Sequence, residues 1–186
     1  MDSSSRRVLQ GAAALGIVAI GLVALMAGGA FDPRPLGPLV AATTPGTHTL
    51  DGRGEMLLPQ GDPLPPDSPA YSLRLTAAHV AGEIDSGYGL ALGGEEWALI
   101  VAVSPAGYVA IWEAVNGSEP VYRLPWQTWP HVRGGEANEI WLDVARAGGG
   151  ATVTARVNRE LLWRGEIEEV SDGASLWLGS FGGPVT

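Results

Sequence analysis

The chain has 186 residues and a formal net charge of −9, with no cysteine and 11 basic residues, every one of them arginine, against 20 acidic ones. The absence of cysteine excludes disulfides and thiolate metal sites, and the absence of lysine excludes a phosphate-loop Lys. With Asp2, Arg6 and Arg7 set aside, the remainder holds 9 basic and 19 acidic residues, a net −10 that repels phosphate backbones, so nucleic acid is not an expected partner.

The first element is the apolar run 8–30, 23 residues without a charge and with Gln10 as its one strongly polar side chain. A helix rising about 1.5 Å per residue would reach roughly 35 Å here, enough for a hydrocarbon core about 30 Å thick. The expectation is a single-pass transmembrane anchor. Arg6 and Arg7 precede the run, which places 1–7 in the cytoplasm and the rest of the chain on the extracytoplasmic side of a cell membrane. Gly28-Gly29-Ala30 keeps a cleaved signal peptide as the alternative, although signal cores are usually only about 7 to 15 residues long. Small residues recur along one helix face at Ala12, Gly16, Ala24 and Gly28, which permits helix pairing without indicating it.

Segment 31–70 holds 9 of the 14 prolines. Proline fixes φ and removes a backbone donor, so this stretch reads as an extended stalk. Within it, Thr47–Leu50 and Glu55–Leu58, joined through Gly52-Arg53-Gly54, have the pattern of an edge hairpin belonging to the domain that follows.

From Tyr71 the period is two. Tyr71, Leu73, Leu75 and Ala77 alternate with Ser72, Arg74 and Thr76; Ile140, Leu142 and Val144 alternate with Trp141 and Asp143; Val153, Ala155 and Val157 alternate with Thr152, Thr154 and Arg156. Each strand therefore buries one face. Residues 97–103 are apolar on both faces, as in a central strand. Asn116-Gly117 predicts a type I′ turn between 108–115 and 121–124. Gly148-Gly149-Gly150 joins 139–145 to 151–157, Asn158-Arg159 turns the chain into 161–167, and 174–179 forms a last strand. No helical stripe of useful length follows residue 31. The fold expected over 71–186 is an all-β, antiparallel two-sheet β-sandwich.

In order, Asp85-Ser86-Gly87-Tyr88-Gly89-Leu90, Ser104-Pro105-Ala106-Gly107-Tyr108, Ala137-Asn138-Glu139-Ile140-Trp141-Leu142 and Val157-Asn158 resemble the concanavalin A-like, laminin-G-like jelly roll. The branch they resemble is the bacterial 3-keto-disaccharide hydrolase, or family-16-glycosidase-like, domain. The resemblance spans about 71–182 and implies a jelly roll and carbohydrate-related work. Two departures stand out. Arg159 sits where the family has Gly, in a backbone region unfavourable to side chains. The chain also runs into Gly182-Gly183-Pro184-Val185-Thr186 where the family adds a further strand, so either 47–58 completes the sheet or an edge stays open to a partner.

Catalytic chemistry is thinly represented. Glycoside cleavage needs two carboxylates about 5 to 9.5 Å apart across a cleft. Glu139 and Asp143, four apart on one strand, lie roughly 13 Å apart; Glu166 and Glu168 are close enough, but with Glu169 they read as a solvated strand end. The alternating acids of the family-16 signature and any Gly-x-Ser-x-Gly elbow are missing. His48, His79 and His131 share no ligand spacing, so no metal site is expected. Calcium stays possible, since a loop carboxylate such as Asp85 could join backbone carbonyls, but it is not indicated, because an Asp beside Ser86 and Gly87 is more often a turn former; no other cofactor is expected. Asn116-Gly117-Ser118 matches the glycosylation pattern, and the hairpin turn already accounts for it.

Aromatic side chains carry what functional signal remains, since sugar C–H faces stack on Trp and Tyr. The candidate ligand-binding residues are Tyr108, Trp112, Trp126, Trp129 and Trp141, with Trp126 and Trp129 placed in a Pro-bounded loop at 124–130. The leading expectation is a non-catalytic, membrane-anchored binding module for a glycan or surface polymer. The alternatives are an accessory subunit docking onto a membrane-protein complex and, third, a glycoside-active hydrolase.

Overall fold

The computed structural model describes residues 3–37, 39, 41–60, 68–94, 96–168 and 173–186, with side chains described from residue 13. Its contacts divide the chain into two units, 1–34 and 35–186.

The first unit is one helix, α1 (Ser3–Ala27). It stops three residues short of the expected end because Gly29 takes φ 69°. There Ala30 N donates to Leu25 O at 2.9 Å and Gly29 N to Met26 O at 3.1 Å, a Schellman cap that satisfies two terminal carbonyls. The span expected over 8–30 is not found: among the described residues no helix is long and apolar enough to cross a membrane.

In the second unit the period-two pattern forms ten strands: β1 (Gly54–Pro59), β2 (Ala70–Ala77), β3 (Ser86–Gly93), β4 (Trp97–Val103), β5 (Tyr108–Val115), β6 (Val121–Thr128), β7 (Asn138–Ala147), β8 (Gly150–Val157), β9 (Glu160–Ile167) and β10 (Ala174–Ser180). All named pairings are antiparallel, giving a six-stranded sheet ordered β1-β10-β3-β4-β5-β6 and a four-stranded sheet ordered β2-β7-β8-β9. The chain thus crosses between layers four times, and the β-sandwich expected from the sequence is present. Between the layers lie Leu90, Leu92, Leu99, Val101, Val103, Val109 and Ile111 from one sheet and Ile140, Leu142, Val144, Val153, Ala155 and Val157 from the other. Each large apolar side chain fully buried there contributes about 1.5 to 3 kcal/mol.

The turns repeat the sequence pattern with one correction. Gly148-Gly149 (φ 61° and 96°) and Asn158-Arg159 (φ 51° and 73°) are two-residue loops with both φ positive, the type I′ geometry that suits strand twist. Arg159 therefore does occupy the region where glycine is favoured. Asn116-Gly117 is not type I′: Gly117 alone has positive φ, at 73°, and Ser118 N closes the turn onto Val115 O at 3.0 Å, as in a type II turn. Glu119 and Pro120 then separate the turn from β6, so the sequence signal marked a reversal but not its length.

Of the hairpin expected at 47–58, only one arm is a strand. β1 pairs with β10, from Gly54 opposite Ser180 to Pro59 opposite Ser175, and forms an edge of the six-stranded sheet where Pro59 is tolerated. The other arm meets the C-terminal residues instead, through Leu50 bridged to Val185, which also bridges Gly82. The run 182–186 is thus tied to the sandwich by backbone bonds.

Candidate ligand-binding face

Pleating sends alternate residues of each strand to the core and to the outside. On the outside of the six-stranded sheet, β3 and β4 offer only small or aliphatic groups: Gly87, Gly89 and Ala91, then Ala98, Ile100 and Ala102. Trp112 from β5 and Trp177 from β10 lie over this floor, their ring centroids 5.0 Å apart and edge to face. Glycine is required beneath them. A Cβ on Gly179 would stand 2.4 Å from the Trp177 ring, and one on Gly87 would stand 3.0 Å from Trp177 and 3.3 Å from Trp126.

Trp126 belongs to β6, separated from β3 by β4 and β5, or roughly 14 Å in a flat sheet. Its ring tip reaches Gly87 because the edge curls. The β5–β6 pairing shifts register twice, between Val109 and Ile111 and between Ile111 and Trp112, and bulges bend the strand that carries them. Pro125 sits in this irregular stretch, where a missing donor is harmless. Trp126 then packs 6.0 Å from Trp112 and 6.3 Å from Phe181, and Tyr122 packs 6.0 Å from Trp112. Trp112 and Trp177 are buried under the layer, whereas Trp126 is half-buried, Tyr122 45% exposed and Phe181 38% exposed. At the β1 edge, exposed Glu55 accepts the Trp177 Nε1–H at 3.1 Å.

The outer face of the four-stranded sheet is built from charges. Arg74 (β2) lies 4.3 Å above the Trp141 ring and Arg156 (β8) lies 5.8 Å from it, leaving the indole 1% exposed. Asp143 takes the Trp141 Nε1–H at 2.7 Å, the Ser72 hydroxyl at 2.5 Å and an ion pair from Arg156. Glu139 faces Arg74 at 3.6 Å and Arg159 at 4.0 Å.

A polar cluster ties the sheets at one end. Asn138 on β7, fully buried, donates through Nδ2 to Tyr88 OH on β3 at 2.9 Å and to Arg133 O at 3.0 Å, while its Oδ1 accepts from Arg133 N and Asn158 Nδ2, both at 2.8 Å. Burial pushes the Tyr88 hydroxyl pKa above its usual 10.0, with the Asn138 bond opposing that shift.

The sequence candidates therefore separate. Trp112 and Trp126 come together, and Tyr108 lies on the same outer side of β5, four residues from Trp112 and 41% exposed. Trp126 is a strand residue, not part of a loop. Trp129 follows β6 and packs against the inter-sheet core and His131. Trp141 lies on the opposite sheet beneath arginines, which closes it to a stacking ligand. Sequence reasoning passed over Tyr122, Trp177, Phe181 and Glu55. For Trp177 a signal was present, in Gly179 two residues along its own strand and Gly87 on the neighbouring β3, where a Cβ would meet its ring.

Among the acids, Glu139 and Asp143 are engaged by arginine as above. Glu166 and Glu168 are exposed at the end of β9, and Glu169 lies outside the described residues. Among the described residues no group of three or more His, Asp or Glu is placed to hold a metal ion. Asp85 donates its backbone N–H to Glu83 Oε1 at 3.3 Å and accepts Phe181 N–H at its carbonyl, a turn arrangement.

No family model matches the chain, and no curated protein matches it. Among solved structures, the chain is similar to the Caenorhabditis elegans galectin LEC-6, at 20% identity and a TM-score of 0.41, over 70% of this chain and 90% of that one. It is also similar to the carbohydrate-binding module CBM66 from Bacillus subtilis, at 9% identity and a TM-score of 0.40, over 73% and 92% respectively.

Proposed function

We propose that the sandwich is a non-catalytic binding module that takes a glycan or another surface polymer on the outer face of its six-stranded sheet. The observation that carries this is the aromatic layer: exposed Tyr122 and Phe181 and half-buried Trp126 held against two buried indoles. Rings fixed in this way offer a flat apolar surface to sugar C–H groups at little entropic cost, since they are ordered before the ligand arrives. Glu55 and the backbone at the β1 edge supply polar contacts beside it. The jelly-roll resemblance fits a carbohydrate role, by analogy of fold. Affinity-gel electrophoresis against polysaccharides tests the reading. Retardation that falls at least about ten-fold in Tyr122→Ala and Trp126→Ala is expected, and retardation unchanged in both variants rejects the face as the site.

The tether belongs to the same proposal. The uncharged stretch 8–30 behind Arg6 and Arg7 supports a membrane anchor, with the sandwich on the extracytoplasmic side. The full chain then stays in the membrane fraction after alkaline carbonate washing and is digested by protease added to intact cells. Release by carbonate removes the anchor, and protection from protease reverses the orientation.

A further inference from the structure

Resting on that reading, we infer that the ligand class of the aromatic face is a neutral glycan presenting hydroxyl donors, and not a uronate, a sulfated polymer or a polycation. The six strands of this sheet contain a single basic residue, Arg123. It is already consumed, because its Nε and Nη2 both lie 2.8 Å from Glu113 Oε1. Among the described residues, the strands of this sheet therefore leave no cation to balance an incoming carboxylate or sulfate, and the exposed Arg53 lies outside them, before β1.

The contrast with the other sheet is one of placement. Arg74, Arg146, Arg156 and Arg164 all lie on the four-stranded sheet, so the arginines are concentrated away from the aromatic layer. What flanks that layer is Glu55, exposed and bonded to Trp177 Nε1; among the described residues no arginine pairs with it. An ionised carboxylate is an acceptor only, so it asks for O–H donors from a ligand and repels anions. The net −10 beyond the N-terminal tail adds to that repulsion. A polycation would be attracted by the same field, yet one carboxylate is weak provision for a charged repeat, whereas a stacked sugar ring needs only the apolar surface and an acceptor at its rim. Because β1 and β6 are opposite edges of the sheet, the hydroxyl donors that Glu55 takes belong to a different ring of the same glycan from the one whose C–H face rests on Tyr122 and Trp126.

The full chain in detergent is run in native gels containing a neutral β-glucan, a neutral galactan, polygalacturonate, dextran sulfate or chitosan. Retardation is expected in at least one neutral gel and in neither anionic gel. Glu55→Gln, which keeps an acceptor for Trp177 and removes the charge, weakens that binding about three- to ten-fold with no loss of folded signal by circular dichroism. Retardation by polygalacturonate, dextran sulfate or chitosan that disappears in Trp126→Ala overturns the ligand class and leaves the binding face standing. Neutral retardation unmoved by Glu55→Gln removes the carboxylate from recognition and overturns the inference. Retardation in none of the gels overturns both readings.

Discussion

On the outer face of the four-stranded sheet one indole, Trp141, is closed in by two guanidinium groups and a carboxylate, whereas on the outer face of the six-stranded sheet three indoles lie against one another over glycine and alanine. Both arrangements satisfy tryptophan. The first does so with charge: Asp143 accepts the indole N–H and holds Arg156, and Arg74 rests on the ring, so that a polar network covers the apolar surface. The second does so with other aromatics, and the outermost of these are left in contact with water. A sealed indole serves stability; an open aromatic layer has surface to give to a ligand. Strand composition decides which results, since β2, β7, β8 and β9 alternate apolar with polar and charged residues, while β3 and β4 place glycine, alanine and isoleucine on the outside.

The strongest way to break this contrast is Trp141→Ala. Truncating a tryptophan buried to 1% costs about 4 kcal/mol and leaves Arg74 and Arg156 without their ring. In a domain of this size that lowers Tm by roughly 10 °C, while polysaccharide retardation of the folded fraction stays as in the parent. Thermal unfolding followed by gel retardation measures both. A variant that kept its Tm and lost binding would mean that the arginine-covered face is the one in contact with ligand.

A smaller change sharpens the other side of the contrast. In Gly87→Ala the new methyl meets the Trp177 ring at 3.0 Å, the Val103 carbonyl at 3.2 Å and the Trp126 ring at 3.3 Å, so both indoles must shift while the strand stays paired. Crowding of this kind costs about 1 to 2 kcal/mol. Binding is expected to fall more than stability, because Trp126 is moved and not removed, and its fluorescence should shift to the red as its ring leaves Trp112. Unchanged emission would show that the glycine is a backbone requirement of β3 and not a seat for the rings.

Much of this architecture could be read from the chain, and the reason the site could not is geometrical. Period two says which residues of a strand share a side, and it correctly paired Trp112 with Tyr108 and Trp141 with Asp143. It does not say which sheet a strand joins. β5 and β7 enter different layers, so Trp112 and Trp141 face opposite directions although each looked like an outward tryptophan. Pro125 concealed the strand character of 121–128, because a bulged edge strand tolerates a proline that a regular interior strand would not. The glycines of β3 look like weak strand formers when taken singly; their alternation has a meaning only once Trp177 and Trp126 are known to lie across them. Composition alone located an apolar N-terminal run, but the helix end is set by the left-handed turn at Gly29, a local backbone event that hydropathy does not report.

The smallest effect concerns the strand that serves both the core and the aromatic floor. Tyr88 on β3 points inward, to Asn138 of the other sheet, while its neighbours Gly87 and Gly89 face outward beneath the rings. Its folded pKa lies above the unfolded value of about 10, so the folded state holds the proton to higher pH than the unfolded chain does. The stability this contributes is complete below pH 10 and is lost as pH rises through the folded pKa, because only the unfolded state gains by ionising at first. Tyr88→Phe abolishes that step. At pH 7 it loses one hydrogen bond, about 1 kcal/mol, since Asn138 Nδ2 keeps Arg133 O as an acceptor. Above pH 10 the variant should lose stability less steeply than the parent, in denaturant titrations run from pH 8 upward. Parallel curves for the two proteins would mean that the tyrosine hydroxyl is solvated in the folded state, and the polar tie between the two sheets would then lie in Asn138 and its backbone partners alone.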